Sequence, residues 1–323
     1  MAHGRSSPHP LPSRRIVTLA GGVGAAKFLR GLVKKIPPER LTVIVNTGDD
    51  ENFYGLHVSP DVDTVTYTLA GLVNPGHGWG LKDDTFAVLN ALARFYGKPW
   101  FNLGDRDLAT HLYRTERLHA GESLSRVTAM IARRLGVRSE ILPMSDDRVH
   151  TWVKVRGRAA MPFQEYFVRN RSRGAVERIE LRGIENAHPL PAALSALRRA
   201  SAVILAPSNP FVSLGPILAL KGMRQALAKI RPRVAAISPI VGGRTLKGPA
   251  DKMLRGLGLE VSPLGVAQLY RDIVGLFVMD IRDKDYLEPV RALGMRAVAV
   301  DTVMSTPAKA ARLAGIVLDA LPV

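Results

Sequence analysis

RIVTLAGGVGAAKFLRGL, residues 15–32, is the stretch on which the fold turns. Its first six residues suit a buried strand, and the glycines Gly21, Gly22 and Gly24 follow without a linker. Beyond Lys27, the apolar residues Phe28, Leu29, Leu32, Val33 and Ile36 recur at helical spacing. Strand, glycine turn, helix is the unit from which parallel α/β sheets are built. Such a turn lets backbone N–H groups approach a phosphate, and the helix N-terminus adds partial positive charge. Lys27 stands in the first turns, within reach of an anionic oxygen. The turn departs from G-x-G-x-x-G, since it begins with a glycine pair and has Ala26 in place of a glycine, and it lacks the lysine-hydroxyl pair of a P-loop.

A second strand-like run, residues 41–45 (LTVIV), leads into Asn46-Thr47-Gly48-Asp49-Asp50 and then Pro60-Asp61-Val62-Asp63-Thr64. In a parallel sheet the loop after this strand lies at the carboxyl edge, where ligands bind. Asp49, Asp50, Asp61 and Asp63 fall within fifteen positions, set among Gly, Asn and Pro rather than along a helix face. Carboxylates crowded in this way are costly unless a cation neutralises them. Aspartate is also a favoured turn and N-cap residue. A phosphate cradle followed by an acidic loop is the arrangement that a metal-assisted diphosphate site requires.

The alternation of strand and helix continues. Asp83 and Asp84 are expected to cap a helix on which Phe86, Leu89, Ala93 and Tyr96 share a face. Asp105-Arg106-Asp107 opens a helix over 108–118, with the two aspartates as caps and Arg106 as their partner. His111, in that helix, reads as a packed histidine or a general base. Residues 140–142 and 152–155 are short strands, and 161–182 is strand-like and basic, so about 105–190 is read as an insertion or cap. The parallel pattern resumes at 202–206 and ends in Pro207-Ser208-Asn209-Pro210, where Ser208 and Asn209 suit phosphate or base recognition, or plain turn chemistry. Asp146 and Asp147 read as a solvated turn or cap. A helix over 215–227 and strands at 234–238, 276–279 and 297–300 complete a sheet of about six strands. The expected fold is α/β: a Rossmann-like, doubly wound, mostly parallel sheet with an inserted cap subdomain. One domain over 15–323 would follow a disordered tail over 1–14.

With 323 residues and 46% hydrophobic content, the chain can bury a large core. It has no cysteine, which excludes disulfides and thiolate metal sites. The net charge is +17, with eight basic residues against three acidic ones over 154–182. Aromatic content is 6%, and no nucleic-acid-binding signature accompanies the charge. Solvated surface and steering of anionic substrates account for it. No apolar run reaches membrane-spanning length, and the N-terminus lacks the apolar segment of a signal peptide. A cytoplasmic protein without nucleic-acid or membrane partners is expected. Neither a G-x-S-x-G elbow nor a His-rich metal spacing occurs.

The motifs GGVGAAKFLRGL, NTGDD, SPDVDT, DDTF, LGDRDLATH, LPMSDD, APSNP, SLGPIL, SPIVGG and LKGPADK occur in this order over about residues 15–308. In them the chain resembles the 2-phospho-L-lactate transferase family of coenzyme F-420 biosynthesis, GDRDLATH with SPDVDT being the most specific pair. The resemblance implies a Rossmann-like fold with an inserted cap, a homodimer and a need for Mg²⁺. It implies an enzyme that joins the deazaflavin alcohol Fo to a phospho-acid carried as a guanosine diphosphate adduct, releasing GMP, with a guanylyltransferase supplying the adduct. Carried over by position, it makes Asp63 and Asn102 deazaflavin contacts, although many members have Lys where Asn102 stands. Gly21, Gly22 and Gly24, with Ser208 and Asn209, would hold the guanosine phosphates, and Lys27 would offset their charge. Asp49, Asp50, Asp61 and Asp63 would surround the Mg²⁺, and Asp63 and Asp50 would be catalytic, Asp63 taking the proton of the Fo hydroxyl. Members differ in donor, which carries 2-phospho-L-lactate, phosphoenolpyruvate or 3-phosphoglycerate. A regulatory nucleotide-sugar binder of the same superfamily and a nicotinamide dehydrogenase are the competing readings. The first lacks PDxDT followed by GDRDxATH; the second would place a lone acid, not NTGDD, after the second strand.

Overall fold

All five residues of Ile16–Ala20 (β1) are buried, the burial that a strand covered on both faces requires. Their side chains alternate between two cores. Val17 and Leu19 face one, and Ile16 and Ala20 face the other, packed on helix Gly22–Leu32 (α1) through Ala25, Phe28, Leu29 and Leu32. The structure is a computed structural model and describes residues 14–322. The expected tail over 1–14 therefore lies outside the described residues except for Arg14.

Around β1, six more strands run parallel to it: Leu41–Val45 (β2), Glu140–Pro143 (β3), Ala202–Leu205 (β4), Val234–Ile237 (β5), Leu276–Asp280 (β6) and Arg296–Val300 (β7). Their order across the sheet is β3-β2-β1-β4-β5-β6-β7, and every pairing is parallel. The direction of winding reverses between β1 and β4, which opens a crevice beyond their carboxyl ends. The sheet has seven strands where about six were expected. The additional one, β3, lies inside the stretch read as an insertion, so that stretch does not stand wholly apart from the core: Ile44 of β2 pairs with Leu142, and Ile141 joins one of the two main cores.

Besides the short pair Ile240–Val241 and Arg244–Thr245, two antiparallel units accompany the sheet. One is a hairpin of Glu51–Phe53 and Leu56–Val58. The other has strands His150–Val155, Met161–Pro162 and Val176–Arg182, with its own apolar cluster around Val153, Phe163, Tyr166 and Val176. Pro60–Leu69 forms helix α2, so Asp61 and Asp63 stand in a helical first turn, not in a loop. Pro60 at its start fixes φ where no N–H is needed, which opens the helix earlier than the sequence suggests. The helix expected over 215–227 is two, Gly215–Ala219 and Met223–Ala228, interrupted where Gly222 adopts φ +91°.

The caps ahead of helices Ala87–Tyr96 (α3) and Asp105–His119 (α4) are exchanged. Asp105 accepts the N–H groups of Ala87 and Val88, both at 2.9 Å, while Asp84 accepts those of Arg106 at 2.8 Å and Asp107 at 3.0 Å. Each aspartate caps the other's helix because the two N-termini face each other, and Gly104 has no Cβ to exclude the Asp84 carboxylate. Of the α3 face expected to be apolar, Leu89 is buried and Tyr96 is exposed.

Helix α1 also packs against the C-terminal helix Pro307–Ala320 at Gly31, where an added Cβ would overlap the carbonyl group of Ala310. Gly31→Ala is therefore expected to cost about 1–3 kcal/mol through overpacking. Thermal unfolding should show a Tm lower by about 2–10 °C.

Candidate active site

The crevice where winding reverses holds a cavity of about 830 Å³. Its floor is the glycine turn after β1. Gly21 caps α1 in an extended conformation, and a Cβ on it would lie 2.6 Å from Asp61 Oδ2 and 2.7 Å from Ser213 Cβ. Gly22 has φ +73°, and a Cβ on Gly24 would overlap the Pro207 carbonyl. These glycines are dictated by the close approach of three other segments. The Gly22 N–H already donates to Asp61, so part of the expected phosphate cradle is occupied by a carboxylate.

Asp61 is one of a pair. Asn46, fully buried at the end of β2, donates from Nδ2 to Asp61 Oδ2 at 2.9 Å and to the Val212 carbonyl at 3.1 Å, and its Oδ1 accepts the Gly48 N–H at 2.9 Å. Burial, relieved in part by the Asn46 hydrogen bond, pushes Asp61 up to about 7. Asp49 is raised well above the usual carboxylate range, first by burial and then by the charges of Asp61 and Asp50. Asp49 Oδ1 is buried with no hydrogen-bond partner, as is Asp50 Oδ1. The other oxygen of Asp50 accepts from Ser59 Oγ at 2.7 Å and meets His57 Nε2 at 3.0 Å. Asp49, Asp61 and Asp63 line the large cavity, whereas Asp50 faces a separate cavity of about 210 Å³ beside His57.

Asp63 is held by a neighbour that the sequence reading did not select. Arg114, 1% exposed, donates from Nη1 to Asp63 Oδ2 at 3.0 Å and from Nη2 to Oδ1. Arg114 Nη1 also approaches His111 Nδ1 at 3.3 Å, and His111 Nε2 lies 3.3 Å from Asp107 Oδ1. His111 Nδ1 also lies 3.6 Å from Asp63 Oδ2, so the imidazole sits between the Arg114–Asp63 pair and Asp107. Asp107 in turn accepts the Tyr67 hydroxyl at 2.6 Å. Asp107 is thus part of this buried network and not merely a cap. The signal was present in Asp107, His111 and Arg114, spaced four and three apart on one face of α4. Removing either member of such a buried ion pair typically costs about 3–5 kcal/mol.

On the opposite side of the turn, Ser208 Oγ accepts the Gly21 N–H at 3.4 Å, and Asn209 Oδ1 accepts the Phe211 N–H at 2.9 Å. Both residues line the cavity; Ser208 ties its loop to the glycine turn, and Asn209 braces the loop itself. Lys27 also lines it, and burial, with the charge of Lys247, lowers its ammonium from the ordinary lysine value. Asn102 belongs to a wall that includes Trp79, Phe101, Leu103 and Phe163, an aromatic surface suited to a flat ring.

Among the described residues, no three His, Asp or Glu side chains form a ready metal cage. Magnesium does not need one. It is commonly held by one or two carboxylates, with substrate phosphates and water completing its shell. Asp49 and Asp61, buried, mutually repelling and with Asp49 Oδ1 unpartnered, fit that chemistry.

The protein-family model described as 2-phospho-L-lactate transferase CofD matches residues 16–316. The chain is 43% identical over 306 residues to a phosphoenolpyruvate transferase of Kitasatospora aureofaciens, covering 93% of this chain and 95% of that one. It is 45% identical over 296 residues to a phosphoenolpyruvate transferase of Streptomyces griseus, covering 90% and 93%. It is 37% identical over 305 residues to a 2-phospho-L-lactate transferase of Methanosarcina mazei, covering 94% and 100%. A solved UPF0052-family protein of Bacillus halodurans shares the fold, with TM-score 0.66 and 18% identity over 96% of this chain and 100% of that one.

The raised Asp61 has a consequence for stability. Unfolded, its carboxyl ionises near 3.8, whereas in the folded protein it keeps its proton to about 7. Its contribution is complete below the unfolded value and is lost as pH rises through the folded one. Tm of the metal-free protein should fall as pH rises from about 4 to about 7, and Asp61→Asn should flatten that slope. An equally steep slope in the variant would assign the effect to other groups.

Proposed function

The chain belongs to the 2-phospho-L-lactate transferase CofD family, and on that premise we propose that it transfers a phospho-acid from a guanosine diphosphate adduct to the ribityl hydroxyl of Fo, releasing GMP. A transferase role in coenzyme F-420 biosynthesis is common ground for the phosphoenolpyruvate and 2-phospho-L-lactate transferases that the chain resembles along nearly its whole length. The observation that carries the finer reading is the buried Asp49–Asp61 pair set against the glycine turn, beside an aromatic-walled cavity.

The Fo hydroxyl oxygen would attack the phosphorus that bears the acid. A new O–P bond forms as the bond to the GMP oxygen breaks in line. Such transfers depend on positioning and charge neutralisation more than on covalent catalysis. A Mg²⁺ ion, when bound, would neutralise the diphosphate and the charge developing on GMP; Asp49 and Asp61 would hold it, with Asp63 lining the same cavity and Asp50 facing the smaller one beside His57. Amides of the Gly21–Gly24 turn not engaged by Asp61, together with Lys27, would face the phosphates. The aromatic wall at Phe101 and Asn102 would take the deazaflavin ring. Asp63, oriented by Arg114 and lining the cavity, is assigned to accept the hydroxyl proton.

The donor favoured is the phosphoenolpyruvate adduct, because the phosphoenolpyruvate transferases compared are 43% and 45% identical and the 2-phospho-L-lactate transferase 37%. A homodimer, a cytoplasmic location and a guanylyltransferase that makes the donor belong to the same proposal. No helix among the described residues is long and apolar enough to cross a membrane.

Purified protein incubated with Fo, Mg²⁺ and the three adducts should release GMP and yield the matching Fo phospho-acid by mass spectrometry, fastest with the enolpyruvyl donor. Binding of Fo or nucleotide without product from any adduct would favour the regulatory binder instead. Asp63→Asn should lower kcat by about 100-fold or more while Fo still binds. Near-normal turnover in that variant would remove Asp63 from the proton transfer.

A further inference from the structure

Two lysines from distant parts of the chain, Lys27 in α1 and Lys247 in the loop after strand Arg244–Thr245, line the same cavity. The lysines that form ion pairs among the described residues are Lys82 and Lys309; neither cavity lysine has a carboxylate within reach. Like charges facing one cavity repel, and burial of Lys27 strengthens the effect. Neither ammonium is neutralised by a direct ion pair, although Asp49, Asp61 and Asp63 line the same cavity.

Lys247 reaches across to a distant loop. Its Nζ donates to the carbonyl of His77 at 2.8 Å, 170 positions away in sequence. That carbonyl sits in the loop 74–80 (NPGHGWG), where three glycines alternate with His77 and Trp79. The loop is closed on itself by Asn74 N–H to the Gly80 carbonyl at 3.0 Å and Gly78 N–H to the Asn74 carbonyl at 2.8 Å. It packs on the glycine turn, since a Cβ on Gly78 would lie 2.7 Å from Val23 Cγ1. The His77 and Trp79 rings stack at 5.1 Å, and Trp79 lines the cavity. The base of the Lys247 loop is anchored by Thr245 Oγ1 donating to Asp251 Oδ1 at 2.7 Å. The lysine therefore stands on a fixed base and uses one of its three N–H donors on a neutral carbonyl.

We propose that Lys247, with Lys27, forms a clamp for the anionic oxygens of the donor, phosphate or carboxylate, and that Lys247 bridges donor and 74–80 loop when the donor is bound. The inference rests on the transferase reading and deepens it by adding a donor-recognising residue outside the glycine turn and the aspartates. A charged hydrogen bond to a phosphate or carboxylate is among the stronger ones a protein makes, whereas the His77 carbonyl is a weak competitor for an ammonium. Bridging would bring Trp79 and the turn residue Val23 under one closed surface.

The test uses Lys247→Met and Lys247→Arg, with exposed Lys284→Met as a control for loss of surface charge. Lys247→Met should raise the donor KM by about 10- to 100-fold with kcat and the KM for Fo little changed, and Lys247→Arg should recover part of the loss. Calorimetric binding of GDP separates the two anion sources. Weaker GDP binding in Lys247→Met places the clamp on the diphosphate, and unchanged GDP binding with raised donor KM places it on the acid carboxylate. Either result supports the clamp. Donor KM and GDP affinity both equal to wild type, or changes matched by Lys284→Met, would overturn it and leave the transferase reading intact. Wild-type protein that binds GDP but gives no product, with GDP binding lost in Lys247→Met, would keep the clamp and remove the transferase reading. Wild-type protein that binds neither GDP nor any adduct would remove both.

Discussion

A side chain at Gly21 would occupy space already held by the Asp61 carboxylate and Ser213, and that exclusion ties three distant segments to one point. The glycine turn, the first turn of α2 and the loop before Gly215–Ala219 all converge on the carboxyl ends of β1 and β4. Gly24 against Pro207 and Gly48 against Thr151 and Pro216 repeat the same kind of contact. Because Thr151 belongs to the small antiparallel sheet, Gly48 also sets how closely that sheet approaches the main one. The consequence is electrostatic. Asp61 and Asp49, both largely buried, are brought together, and Asn46 and the Gly22 N–H offset only part of the cost. A proton or a cation supplies the remainder, which is the physical reason for reading this point as the centre of the chemistry.

A second layer supports the first. Arg114, His111, Asp107, Tyr67 and Asp63 form a buried polar chain that joins α2 to α4. A guanidinium in this position is tolerable because both of its terminal nitrogens meet Asp63. Charge balance sorts the acidic residues into roles. Asp63 has a permanent cationic partner and is oriented. Asp50 is tied to His57 and Ser59 on the far side, while Asp49 and Asp61 are left to share whatever enters the cavity. The lysines at the opposite side complete the pattern, with positive groups facing the space that the carboxylates leave negative.

Much of the fold was legible because the forces that form it are local. β1, its turn and α1 are written in a buried apolar run, three glycines and a helical apolar period. The same is true of β2, β4, β5, β6 and β7, whose boundaries fall close to the expected ones. What was not legible depends on contacts between segments. Asp84 and Asp105 each stand just ahead of a helix, and nothing local says that each caps the other's. Glu140–Pro143 was expected as a short strand of the insertion, and its place in the main sheet shows only once β2 is seen beside it. Gly222 could have been tolerated within a helix, and only its left-handed conformation shows the break. Ser208 and Asn209 were chosen for hydroxyl and amide chemistry; the fold shows that Ser208 Oγ accepts the Gly21 N–H of the glycine turn while Asn209 Oδ1 accepts the Phe211 N–H of its own loop.

By itself the sequence determined the α/β class, the glycine turn, the acidic segments and the family resemblance, since each is carried by residue type and short-range spacing. The tertiary structure decided the division of labour among Asp49, Asp50, Asp61 and Asp63, the burial of Arg114 beneath them and the meeting of Lys27 with Lys247. Those follow from which side chains share a low-dielectric space and which have a partner there, and residues 220 positions apart in one cavity leave no mark on local pattern.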